Sequence, residues 1–166
     1  MTSPALEEAT IAGIHAAFRA GTLTATALVR HCLARIAAYD RQGPQLRALI
    51  TVNPKALEEA ARLDAEYTSR KGQVGPLHGI PIVLKDNFDT QDMPTTAGCS
   101  ALRNRQPARD AFTVQRMREA GALILAKANL QELARGGLSA SSLGGQVRNP
   151  YDLTRTPGGS SGGTGA

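Results

Sequence analysis

Two short apolar runs, Ile80-Pro81-Ile82-Val83-Leu84 and Ala122 to Ala126, flank a helical stretch from Asp110 to about Ala120. Runs of this length, apolar throughout and bounded by turn residues, have the pattern of strands buried on both faces. Strand, helix and strand at this spacing predict α/β architecture with neighbouring parallel strands. Pro81 has no N–H for a ladder, so it must lie at the start of its strand or at a bulge. Lys85 falls where the first strand ends, and Lys127 falls just past the second run.

The residues before Gly75 have a different texture and predict helices. Thr10 is placed to cap a first helix with Ile11, Ile14 and Phe18 on one face, ended by Gly21. Thr24 is placed to cap a second, whose Leu28, Val29, Cys32, Leu33 and Ile36 follow the helical period. Asn53-Pro54 predicts the start of a third, closed by Gly72. Asn129 and Glu132 stand at capping-box spacing for a further short helix. From Gly136 onward the chain reads as loop, ending in PGGSSGGTGA. The expected organisation is a helical lead-in over residues 1–74 and a signature-bearing core over 75–166, both parts of one domain.

Composition narrows the partners. Apolar residues make up 42% and charged residues 20%, a globular balance. The net charge is +5, but Arg103, Arg105, Arg109, Arg116 and Arg118 are spread through a loop and a helix rather than run together, so no direct nucleic-acid contact is expected. No apolar stretch is long enough to span a bilayer, and MTSPALEEAT contains no leader-like run. Cys32 and Cys99 lack CxxC partners or a His at metal-ligand spacing, so neither metal nor other cofactor is expected. Two free thiols suit a reducing compartment, and a cytoplasmic location is expected. Oligomeric state is left open, homo-oligomers included.

Taken alone, Pro157-Gly158-Gly159-Ser160-Ser161-Gly162-Gly163 has the composition of a flexible linker. Its glycine spacing imitates a P-loop, but the lysine and the preceding strand are absent. It also matches G-x-S-x-G, yet NPYDLTRTP stands where the serine-hydrolase elbow needs an apolar strand. His15, His31 and His78 form no triad by spacing, and Cys99 has no adjacent base. Ser139, Ser141 and Ser142 fit either a pocket lining or turn chemistry. Lys127 is expected to be a solvated or packing lysine, and His78 to hold a turn.

Four blocks then occur in order: GPLHGIPIVLKDN over 75–87, TTAG over 95–98, DAFTVQRMREAGALILAKANLQELA over 110–134, and NPYDLTRTPGGSSGG over 149–163. In this combination the chain resembles the amidase signature family over nearly its whole length. The resemblance implies a mixed β-sheet core surrounded by helices, of which only the N-terminal portion is present. It implies hydrolysis of linear carboxamides to carboxylate and ammonia or amine by a Ser–cis-Ser–Lys triad. Lys85 is then the base and Ser160 the bridging serine, with a cis Gly159–Ser160 peptide. Gly159, Ser161, Gly162 and Gly163 support the site. The nucleophilic serine and the oxyanion hole belong to a later motif, so these residues alone are expected to be inactive.

The residue types suit such a relay. A lysine acts as a base only where its surroundings disfavour the ammonium form. A serine hydroxyl both donates and accepts, so it can pass a proton on. Within the same resemblance stands the amidase subunit of a glutamine-dependent aminoacyl-tRNA amidotransferase. A different class is a naturally short, non-catalytic amidase-like protein. The expected substrate is a small-molecule amide.

Overall fold

The structure is a computed structural model that describes residues 6–166. The opening five residues, read above as part of a leaderless N-terminus, lie outside that range. Helix α1 spans Ile11–Arg19, and Thr10 caps it by accepting the Gly13 N–H at 3.0 Å. Ile14, Ala17 and Phe18 turn inward, while Ile11 stays exposed. Helix α2, Ala25–Tyr39, is capped by Thr24, whose Oγ1 accepts from Ala27 N at 3.1 Å. Asp64 of helix α3, Ala56–Ser69, adds a second cap by accepting from Ala25 N and Thr26 N.

Helix α3 begins two residues later than Asn53-Pro54 suggests. Asn53 Oδ1 accepts the Lys55 N–H at 2.8 Å, so Asn53 and Pro54 form a turn instead of a first helical turn. The residues before Gly75 also hold a strand that the sequence pattern does not mark: β1, Leu49–Val52. The helical lead-in therefore contributes to the sheet.

Strand β2, Pro81–Lys85, and strand β3, Leu123–Ala128, pair in parallel, with Pro81 opposite Leu123 and Lys85 opposite Ala128. Strand β1 pairs antiparallel on the other side of β3, giving the order β1-β3-β2 and a mixed sheet. Pro81 opens its strand, which among the described residues has a neighbour on one side only, so its missing donor costs no ladder bond there. Every residue of β3 is buried, and its side chains alternate between two cores. Leu123 and Leu125 join Ile14, Phe18, Leu28, Val29, Ala60 and Leu63 beneath α1, α2 and α3. Ile124 joins Leu84, Met93 and Val114, the last from helix α4, Phe112–Glu119. Burial on both faces explains why β3 is apolar from Leu123 to Ala126.

After β3 the capping box does not form. The short helix is a single 3₁₀ turn, Glu132–Ala134, preceded by Gln131 with no side-chain cap. Asn129 Oδ1 is occupied by the Leu130 N–H and the Ser141 hydroxyl. Strands β4, Ala140–Ser141, and β5, Gly145–Gln146, form a small hairpin, and α5, Gly162–Gly165, sits against β2.

Candidate active site

Lys85 is the last residue of β2, half-buried, and its Nζ lies 2.7 Å from Ser160 Oγ, to which it donates. The two residues are 75 positions apart, so the fold and not local chain geometry makes this contact. The Gly159–Ser160 peptide is cis. The Ser160 carbonyl accepts the Gln131 N–H at 2.9 Å, which ties the serine to the segment leaving β3. Ser161 is exposed, and its carbonyl accepts from Thr164 and Gly165 in the first turn of α5.

The loop carrying Ser160 is held at both ends. Gly163 donates its N–H to the Asn129 carbonyl at 3.0 Å. A Cβ at Gly163 would overlap Ala48 O and press on the Asn129 backbone, so this close approach admits only glycine. Gly162 donates to Ser139 Oγ at 2.9 Å, and Ser139 Oγ donates to Gly158 O at 2.6 Å. Asn129 in turn is fully satisfied. Its N–H donates to Ala48 O, its carbonyl accepts from Gly163, Nδ2 donates to Arg47 O and Gly145 O, and Oδ1 takes the two donors named above. A buried amide with every donor and acceptor matched fixes the segments around it.

Lys127 is a different kind of lysine. It is 0% exposed, which rules out the solvated reading and leaves the packing one. Its Nζ donates to Thr95 Oγ1 at 2.8 Å, Pro94 O at 3.1 Å and Thr90 Oγ1 at 3.3 Å, and lies 3.1 Å from Asp86 Oδ1. That oxygen has no well-aligned donor, so the contact is chiefly an ion pair. Burial pushes the Lys127 ammonium below its ordinary range, opposed first by Asp86 and then by Asp89 and Asp92. The second Asp86 oxygen takes the N–H and hydroxyl of Thr96. Asp86 is fully buried and carried no motif of its own in the sequence, though it directly follows Lys85.

The other candidates scatter. His78 is buried and donates from Nε2 to Leu63 O at 3.0 Å, and His15 donates to His78 O, so both serve backbone joints. Cys32 packs beside the main core, and Cys99 precedes the short turn Ser100–Leu102. Ser141 holds a turn by accepting from Gly144 N, whereas Ser142 ties two distant segments by accepting from Ser100 N. Among the described residues no group of three or more His, Cys, Asp or Glu stands where it could hold a metal ion. No described helix is long and apolar enough to cross a membrane. An apolar cavity of about 390 Å³ lies between α2 and β2, lined by Ile36, Leu49, Val83 and Leu125; neither Lys85 nor Ser160 reaches it.

The mixed sheet between helices that brings this strand-end lysine onto a serine of a glycine-rich loop is an amidase-type fold. A family model described as Amidase matches residues 27–166, and the chain belongs to the amidase signature family. The peptide amidase from Stenotrophomonas maltophilia superposes with a TM-score of 0.87 at 48% identity, over 94% of this chain and 33% of that one. An amidase family protein from Bacillus anthracis str. Ames gives 0.87 at 36% identity, over 94% and 32%. Among curated relatives, the A-type subunit of the glutamyl-tRNA(Gln) amidotransferase of Halorhodospira halophila is 42% identical over 97% of this chain and 32% of its own length. The chain thus spans about a third of the length of the proteins it matches, their N-terminal portion.

Proposed function

We propose that the whole protein is an amidase that hydrolyses linear carboxamides, with Lys85 as general base and Ser160 as the relay. The observation that carries this reading is the 2.7 Å contact between Lys85 Nζ and Ser160 Oγ in a member of the amidase signature family. In the proposed cycle Lys85 takes the Ser160 proton while Ser160 takes the proton of a nucleophilic serine from a later segment. That serine attacks the amide carbon. The protons return along the same path to the departing ammonia or amine, and water then releases the acid by the reverse route. The same short N···O line serves transfer in both directions.

A peptide amide is the first substrate to try, since the match to a peptide amidase has 48% identity. A second reading, the amidase subunit of a tRNA amidotransferase, is supported by the 42% identity to a glutamyl-tRNA(Gln) amidotransferase component. Ammonia release from the peptide amide by the purified whole protein, without glutamine or partner subunits, supports the hydrolase. Activity only with glutamine and partners supports the transferase. In either case Lys85→Ala is expected to lower kcat by about 10²- to 10⁴-fold. An unchanged kcat in Lys85→Ala overturns the assigned role.

A further inference from the structure

Ser139 is 0% exposed although Gly136, Gly137 and Leu138 just before it are exposed. It is a non-glycine residue with φ near +57°, a backbone region that costs an L-residue some energy and is kept where surroundings require it. Its hydroxyl does two things at once. It donates to Gly158 O at 2.6 Å and accepts from Gly162 N at 2.9 Å, so one oxygen bridges the two ends of the five-residue segment with Ser160 at its centre. The Ser139 carbonyl, in turn, accepts from Val147 N at 3.0 Å, which roots the bridge beside the β4–β5 hairpin.

Packing enforces the same arrangement. A Cβ on Gly162 would overlap the Ser139 side chain, and one on Gly159 would come within 2.9 Å of Ser139 Oγ. The bond from Gly163 to Asn129 fixes only the far end of the loop, and the bond from Gln131 fixes only the Ser160 carbonyl. At the near end Thr156 Oγ1 takes the Gly158 N–H at 3.3 Å and donates to Leu138 O at 2.8 Å, but the Gly158 carbonyl is held by the Ser139 hydroxyl, which alone ties it to Gly162 across Ser160. A misplacement of about 1 Å at a reacting group can cost roughly 100-fold in rate.

We propose that Ser139 is a positioning residue that sets the Lys85–Ser160 contact, which presupposes the amidase reading of that contact. Without its hydroxyl, the loop keeps its anchors on Thr156, Gln131 and Asn129 but loses the bridge across Ser160, and the Ser160 side chain is no longer held within reach of Lys85.

The test reads the contact directly as well as through turnover. In the whole protein, Lys85 is acetylated with limiting acetic anhydride and quantified by mass spectrometry against exposed Lys55 of the same molecule. Ser139→Ala keeps the Cβ, whereas Ser139→Gly suits the positive φ and guards against misfolding. Both are expected to raise Lys85 labelling several-fold, to the level of Ser160→Ala, with no further rise when either is combined with Ser160→Ala. With a peptide amide, both are expected to lower kcat about 10- to 100-fold while KM stays within about two-fold. Labelling at the wild-type level in either Ser139 variant overturns the proposal. So does Ser160→Ala leaving Lys85 labelling unchanged, because then there is no contact to position. A wild-type protein that releases no ammonia defeats the amidase reading alone, and the labelling result still decides the role of Ser139.

Discussion

Gly163 and Gly165 stand two positions apart in α5, yet a methyl group would meet them very differently. At Gly163 it would collide with Ala48 O and the Asn129 backbone, while at Gly165 nothing lies within 4 Å. Gly163→Ala is expected to destabilise the protein by about 1–3 kcal/mol, the usual cost of overpacking. Gly165→Ala is expected to stay within about 0.5 kcal/mol of wild type. Urea unfolding of the two variants checks this, and equal midpoints would mean that the loop is not seated on Asn129. Lys127 carries a pH signature. Its ammonium form is disfavoured in the folded state by burial, so its pKa lies below the ordinary 10.5. Between that lowered value and 10.5 the unfolded chain binds more protons than the folded one, and stability therefore rises with pH. Relative to the double variant Lys127→Met/Asp86→Asn, wild type is expected to gain stability as pH approaches 10.5 from below. A relative loss over that range, in urea midpoints at stepped pH, would contradict the burial account.

Helix α2 is capped twice, once by a neighbour in sequence and once by a neighbour in space. Thr24 takes the Ala27 N–H, while the two oxygens of Asp64 take the Ala25 and Thr26 N–H groups at 2.7 Å and 3.0 Å. A carboxylate there also complements the positive end of the helix dipole. Asp64→Ala is expected to cost about 1–2 kcal/mol by thermal or urea unfolding, and Thr24→Ala about 1 kcal/mol. A cost for Asp64→Ala below that for Thr24→Ala would show the cross-helix cap to be idle. The contrast also explains what the sequence made readable. The Thr24 cap and the apolar period of α2 are local signals, and both are where the pattern placed them. Asp64 reads as a helix-face residue until α3 packs on α2. Strand β1 has only four residues and owes its existence to β3, more than seventy positions on, so no local pattern marks it. The Asn129–Glu132 spacing misleads for a related reason, since tertiary donors from Leu130 and Ser141 claim the Asn129 oxygen first.

At the scale of the molecule, Lys85 and Lys127 looked alike, each at the end of an apolar run. The sheet separates them. In the parallel register Lys127 stands beside Leu84 and reaches Asp86, Thr90 and Thr95, whereas Lys85 stands beside Ala128 and reaches Ser160. The ordered sequence blocks named Lys85 and Ser160, because each carries its own short motif. Asp86 and the Ser139 bridge stayed hidden, because their roles exist only after distant loops meet. The same logic bounds what these residues do by themselves. In the proposed cycle Lys85 and Ser160 move a proton but attack nothing, and the attacking serine with its oxyanion donors comes from a later segment. Removing the nucleophile of such a relay removes the covalent step, which neither positioning nor base strength replaces. The polypeptide 1–166, produced alone and shown to be folded by circular dichroism, is therefore expected to release no ammonia from a peptide amide above the buffer rate. Turnover by that polypeptide that vanishes in Lys85→Ala would mean that the nucleophile lies within these residues, and would make Ser160 itself the first candidate to replace.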